Sequence, residues 1–227
     1  TSSSDTIAFD VCFWTPYYPD GVSVTFADDY TGTVNGKILY DSTDEEKAEL
    51  VIGGNGSFGS IEMSSSSTEQ PNIKISGGSY ETSPVAYTTG DTVVLRYNNG
   101  SYAVGGTAQT VAASAADNST IEVLKGSAAF SIGADNVTVK NNGDGTVTVN
   151  QITVEQGMPM EVHALERVEA KSAGCTTEGN REYYKCSACG EIFADSQGKT
   201  ASSLDEMTIP ATGHSVSGDW ASDGDKH

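Results

Sequence analysis

Apolar residues along the first hundred positions recur at spacing two, in short runs set between turn-rich stretches. Gly36-Lys-Ile-Leu-Tyr-Asp41, Ala48-Glu-Leu-Val-Ile52, Asn72-Ile-Lys-Ile75 and Thr92-Val-Val-Leu-Arg-Tyr97 carry this pattern. Period two marks strands that bury one face. The runs also repeat. Ile75-Ser-Gly-Gly-Ser-Tyr80 superimposes on Tyr97-Asn-Asn-Gly-Ser-Tyr102 with a shift of 22, which sets Gly78 on Gly100. Leu50-Val-Ile52 matches Ile73-Lys-Ile75 at 23, Ile38 matches Ile61 at 23, Phe58 precedes Tyr80 by 22, and Val34 precedes Phe58 by 24. A unit of that length, holding two short strands, is too small to bury its own apolar face, so the units must stack and pair their backbones. The pattern predicts an all-β chain, a right-handed parallel β-solenoid with glycines at its corners, where positive φ or close backbone approach is needed.

Beyond Gly105 the period blurs. Ile121-Glu-Val-Leu124, Asn136-Val-Thr-Val-Lys140 and Thr146-Val-Thr-Val-Asn150 still read as strands, and Asn141-Asn-Gly-Asp-Gly145 between the last two predicts a hairpin turn. Irregular further coils are favoured here over a separate β-sandwich. At the other end, 7 of the 18 aromatic residues fall within the first 30 positions. Ile7, Phe9, Val11 and Phe13 alternate, and Tyr17-Tyr-Pro-Asp-Gly21 predicts a reversal onto Val22, Val24 and Phe26. Such a hairpin would cap the open end of the stack. The sharper alternative makes Trp14, Tyr17 and Tyr18 a sugar-stacking platform on an exposed loop.

Cysteine marks a second division. Three of the four Cys follow Gly157, where Gln156-Gly-Met-Pro159 breaks the strand pattern. The predicted parts are a cap over 1–30, a solenoid over 31–157 with irregular last coils, a Cys/His module over 158–214 that is zinc-ribbon-like, and the opening of a further repeat, cut short, over 215–227.

Charge narrows the partners. Acidic residues number 31 against 12 Lys and Arg, for a net charge of −19. That balance excludes nucleic acid and anionic membranes. No apolar stretch approaches the roughly 18 residues of a membrane span, so no membrane insertion is expected, and no Lys/Arg-rich start of a signal peptide precedes the first strand.

The strongest chemical signal lies in the Cys/His module. Cys186-Ser-Ala-Cys189-Gly190 has the spacing of a zinc knuckle, in which two thiolates hold one tetrahedral ion and the glycine eases the turn. A reversal at Glu178-Gly-Asn180 would set Cys175 opposite Cys186, since their midpoint is 180.5. His163 and His214 both qualify as the fourth ligand, with a slight lean to His214 because the Pro210-Ala-Thr-Gly213 turn can return the chain over the knuckle. Three thiolates and an imidazole would close the site around a structural zinc, with no position left for catalytic water. In a module with few large apolar side chains, metal binding would supply much of the folding free energy. The alternative is a disulfide, Cys186 with Cys189 or Cys175 with Cys12, and it leaves an odd thiol and two unexplained histidines. Cys12 itself reads as a small buried apolar residue.

His163-Ala-Leu, Ala173-Gly-Cys-Thr-Thr-Glu-Gly179, Tyr183-Tyr-Lys-Cys-Ser-Ala-Cys-Gly-Glu-Ile-Phe193, Asp195, Gly198-Lys and Ile209-Pro-Ala-Thr-Gly-His214 resemble a tandem Cys/His repeat of large cell-surface proteins in Gram-positive gut bacteria. Ile75-Ser-Gly-Gly-Ser-Tyr80 similarly resembles the Ser-Gly-Gly-x-aromatic repeats of β-solenoid regions in such proteins. The resemblance implies a secreted, wall-associated, multi-module protein in which these units serve as stalk or adhesin parts. Partners would be a host glycan or host protein, and neighbouring modules of the same polypeptide.

Enzymatic sites are weakly signalled. Solenoids host polysaccharide-active enzymes, so a β-helix enzyme is the competing class by fold analogy. Its chemistry needs opposed carboxylates, for which Asp41, Asp44, Glu45, Glu62, Glu69 and Asp91 are candidates. Asp41-Ser-Thr-Asp-Glu-Glu46 could hold Ca²⁺, but a charged solvated turn is the favoured reading. Lys74 and Arg96 fall on neighbouring coils in the repeat register and form a candidate ligand-contacting basic stripe. No Ser/His/Asp set or phosphate loop emerges, and the chain reads as a non-enzymatic surface module, an adhesin or ligand-binding part, with a structural spacer as the alternative.

Overall fold

In a computed structural model, residues 6–7, 11–14, 21–42, 48–64, 71–187 and 189–214 are described. Strand makes up 43% of the described residues and helix 8%, so the fold is all-β as the alternation predicts. The chain divides into two compact units, Thr1–His163 and Ala164–His227. The division falls after His163 rather than after Gly157, because Pro159–Val162 still pairs with a strand of the first unit.

The first unit is a β-solenoid of about five turns. Its first coil contains β1 (Thr6–Ile7), β2 (Val11–Trp14) and β3 (Val22–Phe26); the second contains β4 (Thr33–Val34), β5 (Ile38–Asp41) and β6 (Ala48–Ile52). The third contains β7 (Ser57–Phe58), β8 (Ile61–Met63) and β9 (Ile73–Ile75), and β10 (Gly78–Tyr80) opens the fourth. Each strand pairs in parallel with its counterpart one coil on. Val34 sits opposite Phe58 and Phe58 opposite Tyr80; Ile38 opposite Ile61; Leu50 opposite Ile73. These are the pairs that the sequence repeat sets.

The first coil corrects one expectation. Among the described residues β2 and β3 do not pair with each other; β1, β2 and β3 pair in parallel with β4, β5 and β6. The described residues before 31 therefore belong to the stack. Their interval is wider, since Ile7 pairs with Val34, a longer step along the chain than the one from Val34 to Phe58. The repeat was hidden there because the coil is longer, not because the strands differ.

The interior explains the stacking. Phe26, Tyr30, Phe58 and Tyr80 form a continuous aromatic column with centroid separations of 5.1 to 5.8 Å. Tyr40 is fully buried, and its hydroxyl donates to the Ala48 carbonyl at 2.9 Å and accepts from the Asn72 amide at 3.2 Å, tying the second coil to the third. Burial raises the Tyr80 phenol well above its ordinary pKa, and its hydroxyl donates to the Gly77 carbonyl at 2.7 Å.

The stack changes direction after Tyr80. β11 (Val94–Tyr97) and β12 (Tyr102–Val104) form an antiparallel hairpin, and β12 pairs antiparallel with β10, Tyr102 opposite Tyr80. The shift of 22 thus places the two tyrosines in register but reverses the strand, because Asn98-Asn99-Gly100 turns the chain back, with Gly100 at φ +87°. This hairpin has two buried faces. Val94 and Val104 belong to the N-terminal core, whereas Leu95 and Ala103 belong to a second core with Ile121, Val123, Val137 and Val139. A short helix, α1 (Gly106–Ala113), buries Ala108 and Ala112 in that second core.

Coils resume on a shorter period. β13 (Thr120–Lys125) and β14 (Ala128–Phe130) are covered in parallel by β15 (Val137–Asn141) and β16 (Val147–Val149), with Ile121 opposite Val139 and Ala129 opposite Thr148. Irregular coils, favoured over a separate sandwich, are what the chain adopts. Asn141–Gly145 is a corner rather than a hairpin turn, since β15 and β16 lie in different sheets. The Asn141 side chain builds it, accepting from the Gly143 amide and donating to the Gly145 carbonyl. β17 (Ile152–Val154) and β18 (Pro159–Val162) then pair antiparallel with β16 and β15 and end the stack.

The second unit is small and antiparallel. β19 (Leu165–Val168) pairs with β21 (Tyr183–Cys186), which pairs with β22 (Ile192–Phe193), which pairs with β23 (Ala201–Ser202). β20 (Gly179–Asn180) pairs with β24 (Thr208–Ile209), and between β23 and β24 lies a one-turn helix, α2 (Leu204–Met207). Ser203 and Glu206 close a capping box on it. The buried apolar side chains described in this unit are Cys186, Phe193 and Met207, a core too small to carry the fold alone.

Candidate metal centre

The knuckle is built by backbone geometry. Cys186 ends β21, opposite Leu165 of β19, and its amide donates to the Glu191 carbonyl at 2.9 Å. The Gly190 amide donates back to the Cys186 carbonyl at 3.1 Å, and Gly190 takes φ +77°, which a side chain would strain. The Cys189 amide donates to the Cys186 sulfur at 3.4 Å.

His163 is the residue directly before Ala164, and the Ala164 carbonyl accepts from the Ser187 amide at 3.3 Å. This register brings the histidine to the knuckle. One ligand atom each from His163, Cys186 and Cys189 lie within 4.8 Å of one another, and this group could hold a metal ion. Thiolates about 2.3 Å and an imidazole nitrogen about 2.0 Å from a tetrahedral ion fit inside that limit. Cys186 is buried, Cys189 is exposed, and the His163 side chain is 8% exposed with Nδ1 3.8 Å from Asp135 Oδ1.

The other expected ligands lie elsewhere. Cys175 does not sit opposite Cys186 across a hairpin at 180. Lys171 bridges Asn180, and the Gly174 amide donates to the Thr177 carbonyl at 2.8 Å, so the chain reverses at Cys175 itself. Gly179 marks a close approach instead of a turn, since a Cβ there would stand 2.3 Å from the Lys171 carbonyl oxygen. The Gly213 amide donates to the Cys175 carbonyl at 3.0 Å, which places His214 beside Cys175; neither belongs to the group of three, and both are exposed. Cys175, Cys186 and Cys189 form no disulfide with one another, and the side chain of Cys12 lies outside the described residues.

The remaining candidates are dispersed. Trp14 ends β2 opposite Asp41, its side chain outside the described residues, as are Tyr17 and Tyr18. Lys74, on β9, pairs with Glu49 at 2.8 Å; Arg96, on β11, stands 3.6 Å from Glu122. They form no stripe, because β9 and β11 lie in different sheets. Glu62 pairs with Lys37 at 3.1 Å, and Asp91 accepts from the Ser127 amide at 2.8 Å. Asp44, Glu45 and Glu69 lie outside the described residues. No known protein family, curated protein or solved structure matches the chain.

Proposed function

We propose that this chain is a non-enzymatic extracellular surface module of a larger wall-associated protein. Its solenoid is a rigid scaffold that displays ligand-contacting side chains, and its second unit is folded around a structural zinc ion. The observation that carries the reading is the sheet order of the first unit, in which nine described strands run in one continuous sheet over a filled interior. Backbone pairing of that kind gives a stiff surface whose outer side chains can vary without loss of the stack. Glu62 and Asp91 hold structural contacts, which supports a scaffold over a glycoside hydrolase. Display on a host-facing surface follows from the resemblance of the Cys/His segment to surface repeats, and a plain spacer is the second reading.

Zinc is supported by the donor set of two thiols and one imidazole and by the slight core of the second unit. The purified chain, applied to glycan and host-protein arrays and assayed for release of reducing or unsaturated sugar, should bind without turnover. Sugar release would overturn the non-enzymatic reading, and silence on every array would leave the spacer. Native mass spectrometry should find one zinc per chain, lost in Cys186→Ser.

A further inference from the structure

One face of the large sheet changes role along β11. At Val94 and Val104 it covers the N-terminal core; two positions further, at Arg96, it has emerged into solvent. Arg96 and Asn98 share this face of the chain, and Thr120 and Glu122 share it on the neighbouring β13. With Tyr97 they line an open depression of about 250 Å³. Tyr97 lines it as well, while its ring packs against the second core and its hydroxyl accepts from the Ala116 amide at 3.1 Å.

The polar groups around this depression have capacity to bind something else. Glu122 is shared between two cations, 3.6 Å from Arg96 and 4.0 Å from Lys140, both beyond hydrogen-bond length. Among the described residues, the side chains of Arg96, Asn98 and Thr120 make no hydrogen bond. The row Arg96, Glu122, Lys140 sums to +1 in a chain of −19. Glu161 lies in the row of Thr120 but two strands away, about 10 Å at ordinary strand spacing.

We propose that this depression binds the carboxylate-bearing ring of an acidic sugar. The Arg96 guanidinium takes the carboxylate through paired N–H donors. Asn98 and Thr120, each donor and acceptor, and Glu122, an acceptor, meet the ring hydroxyls. The volume suits one ring, since it falls below the roughly 300 Å³ at which pockets for drug-sized ligands begin. The proposal names the ligand class for the displaying scaffold and rests on that reading only for the setting in which such a ligand is met.

Amide chemical shifts of the full chain, followed during titration with methyl glucuronide and with methyl glucoside, test it. Saturable shifts are expected from the glucuronide at residues 96–99 and 120–122, with the glucoside at least about tenfold weaker. Arg96→Ala should weaken glucuronide binding by at least about tenfold, and Arg96→Lys by less. Because Arg96 is exposed, the variant's own spectrum reports that it folds. No shifts, equal binding of the two sugars, or affinity unchanged in Arg96→Ala would overturn the site. Sugar turnover would instead strike the non-enzymatic reading and leave this contact standing.

Discussion

Single side chains in the first unit do the work of joining coils, and Tyr40 is the clearest of them. Its hydroxyl serves the Ala48 carbonyl in its own coil and the Asn72 amide in the next. Tyr40→Phe keeps the ring and leaves both backbone groups without that partner, so a loss of about 1 to 3 kcal/mol is expected, read as a lower urea midpoint at unchanged slope. Glycines act by absence of a side chain. A Cβ on Gly77 would stand 2.1 Å from the Gly54 carbonyl oxygen, one coil away, whereas a Cβ on Gly100 meets nothing within 4 Å and suffers only from φ +87°. Gly77→Ala should therefore cost about 3 kcal/mol and Gly100→Ala about 1 kcal/mol, measured by thermal melting of the two variants. Both glycines were legible in the sequence as repeat corners. Which one is a close approach and which a hairpin turn was not, because the same Gly-Ser-Tyr phrase, Gly78–Tyr80 and Gly100–Tyr102, closes both places.

Strands were legible on both sides of Gly105, but the repeat was legible only where a coil carries the Gly-aromatic phrase on the long period. Asp117-Asn118-Ser-Thr-Ile121 and Asp135-Asn136-Val-Thr-Val139 repeat at a shift of 18, shorter than the unit of the first coils. Its physical basis is a corner: Asn118 and Asn136 take φ of 60° and 55°, and the Asn136 side-chain amide donates to Asn118 Oδ1 at 2.7 Å. Asparagine replaces glycine there because it tolerates the left-handed region and bonds to its own stacked copy. In the second unit the Ser203/Glu206 cap makes a pH-dependent element. Hydrogen bonds from the Ser202 hydroxyl and then the Ser203 amide hold Glu206 below the ordinary carboxylate range. A lowered folded pKa contributes stability above the unfolded value and loses it as pH falls through the folded one. Amide protection at residues 203–207, taken relative to the intrinsic exchange rate at each pH, should therefore fall on acidification below the ordinary glutamate range, and Glu206→Gln should flatten that dependence.

At the scale of the molecule, two units of different chemistry predict two responses to metal removal. A chelator should unfold the second unit, whose buried apolar side chains are few, and leave the first unchanged, so far-UV dichroism should lose a minor part of its signal and the main thermal transition should stay in place. The candidate metal-binding group was legible in part. Spacing gave Cys186 and Cys189, but the choice between two histidines needed the register that sets the Ala164 carbonyl against the Ser187 amide, and the place of Cys175 depended on where a hairpin turns. Stacking in parallel is the claim on which the molecule's account depends, and proton–proton Overhauser contacts measure it directly. Amide-to-α-proton contacts are expected between residues one coil apart, Leu50 with Ile73, Val34 with Phe58 and Ile121 with Val139. Strong contacts between α-protons across those same strands would mean antiparallel pairing and would contradict the solenoid.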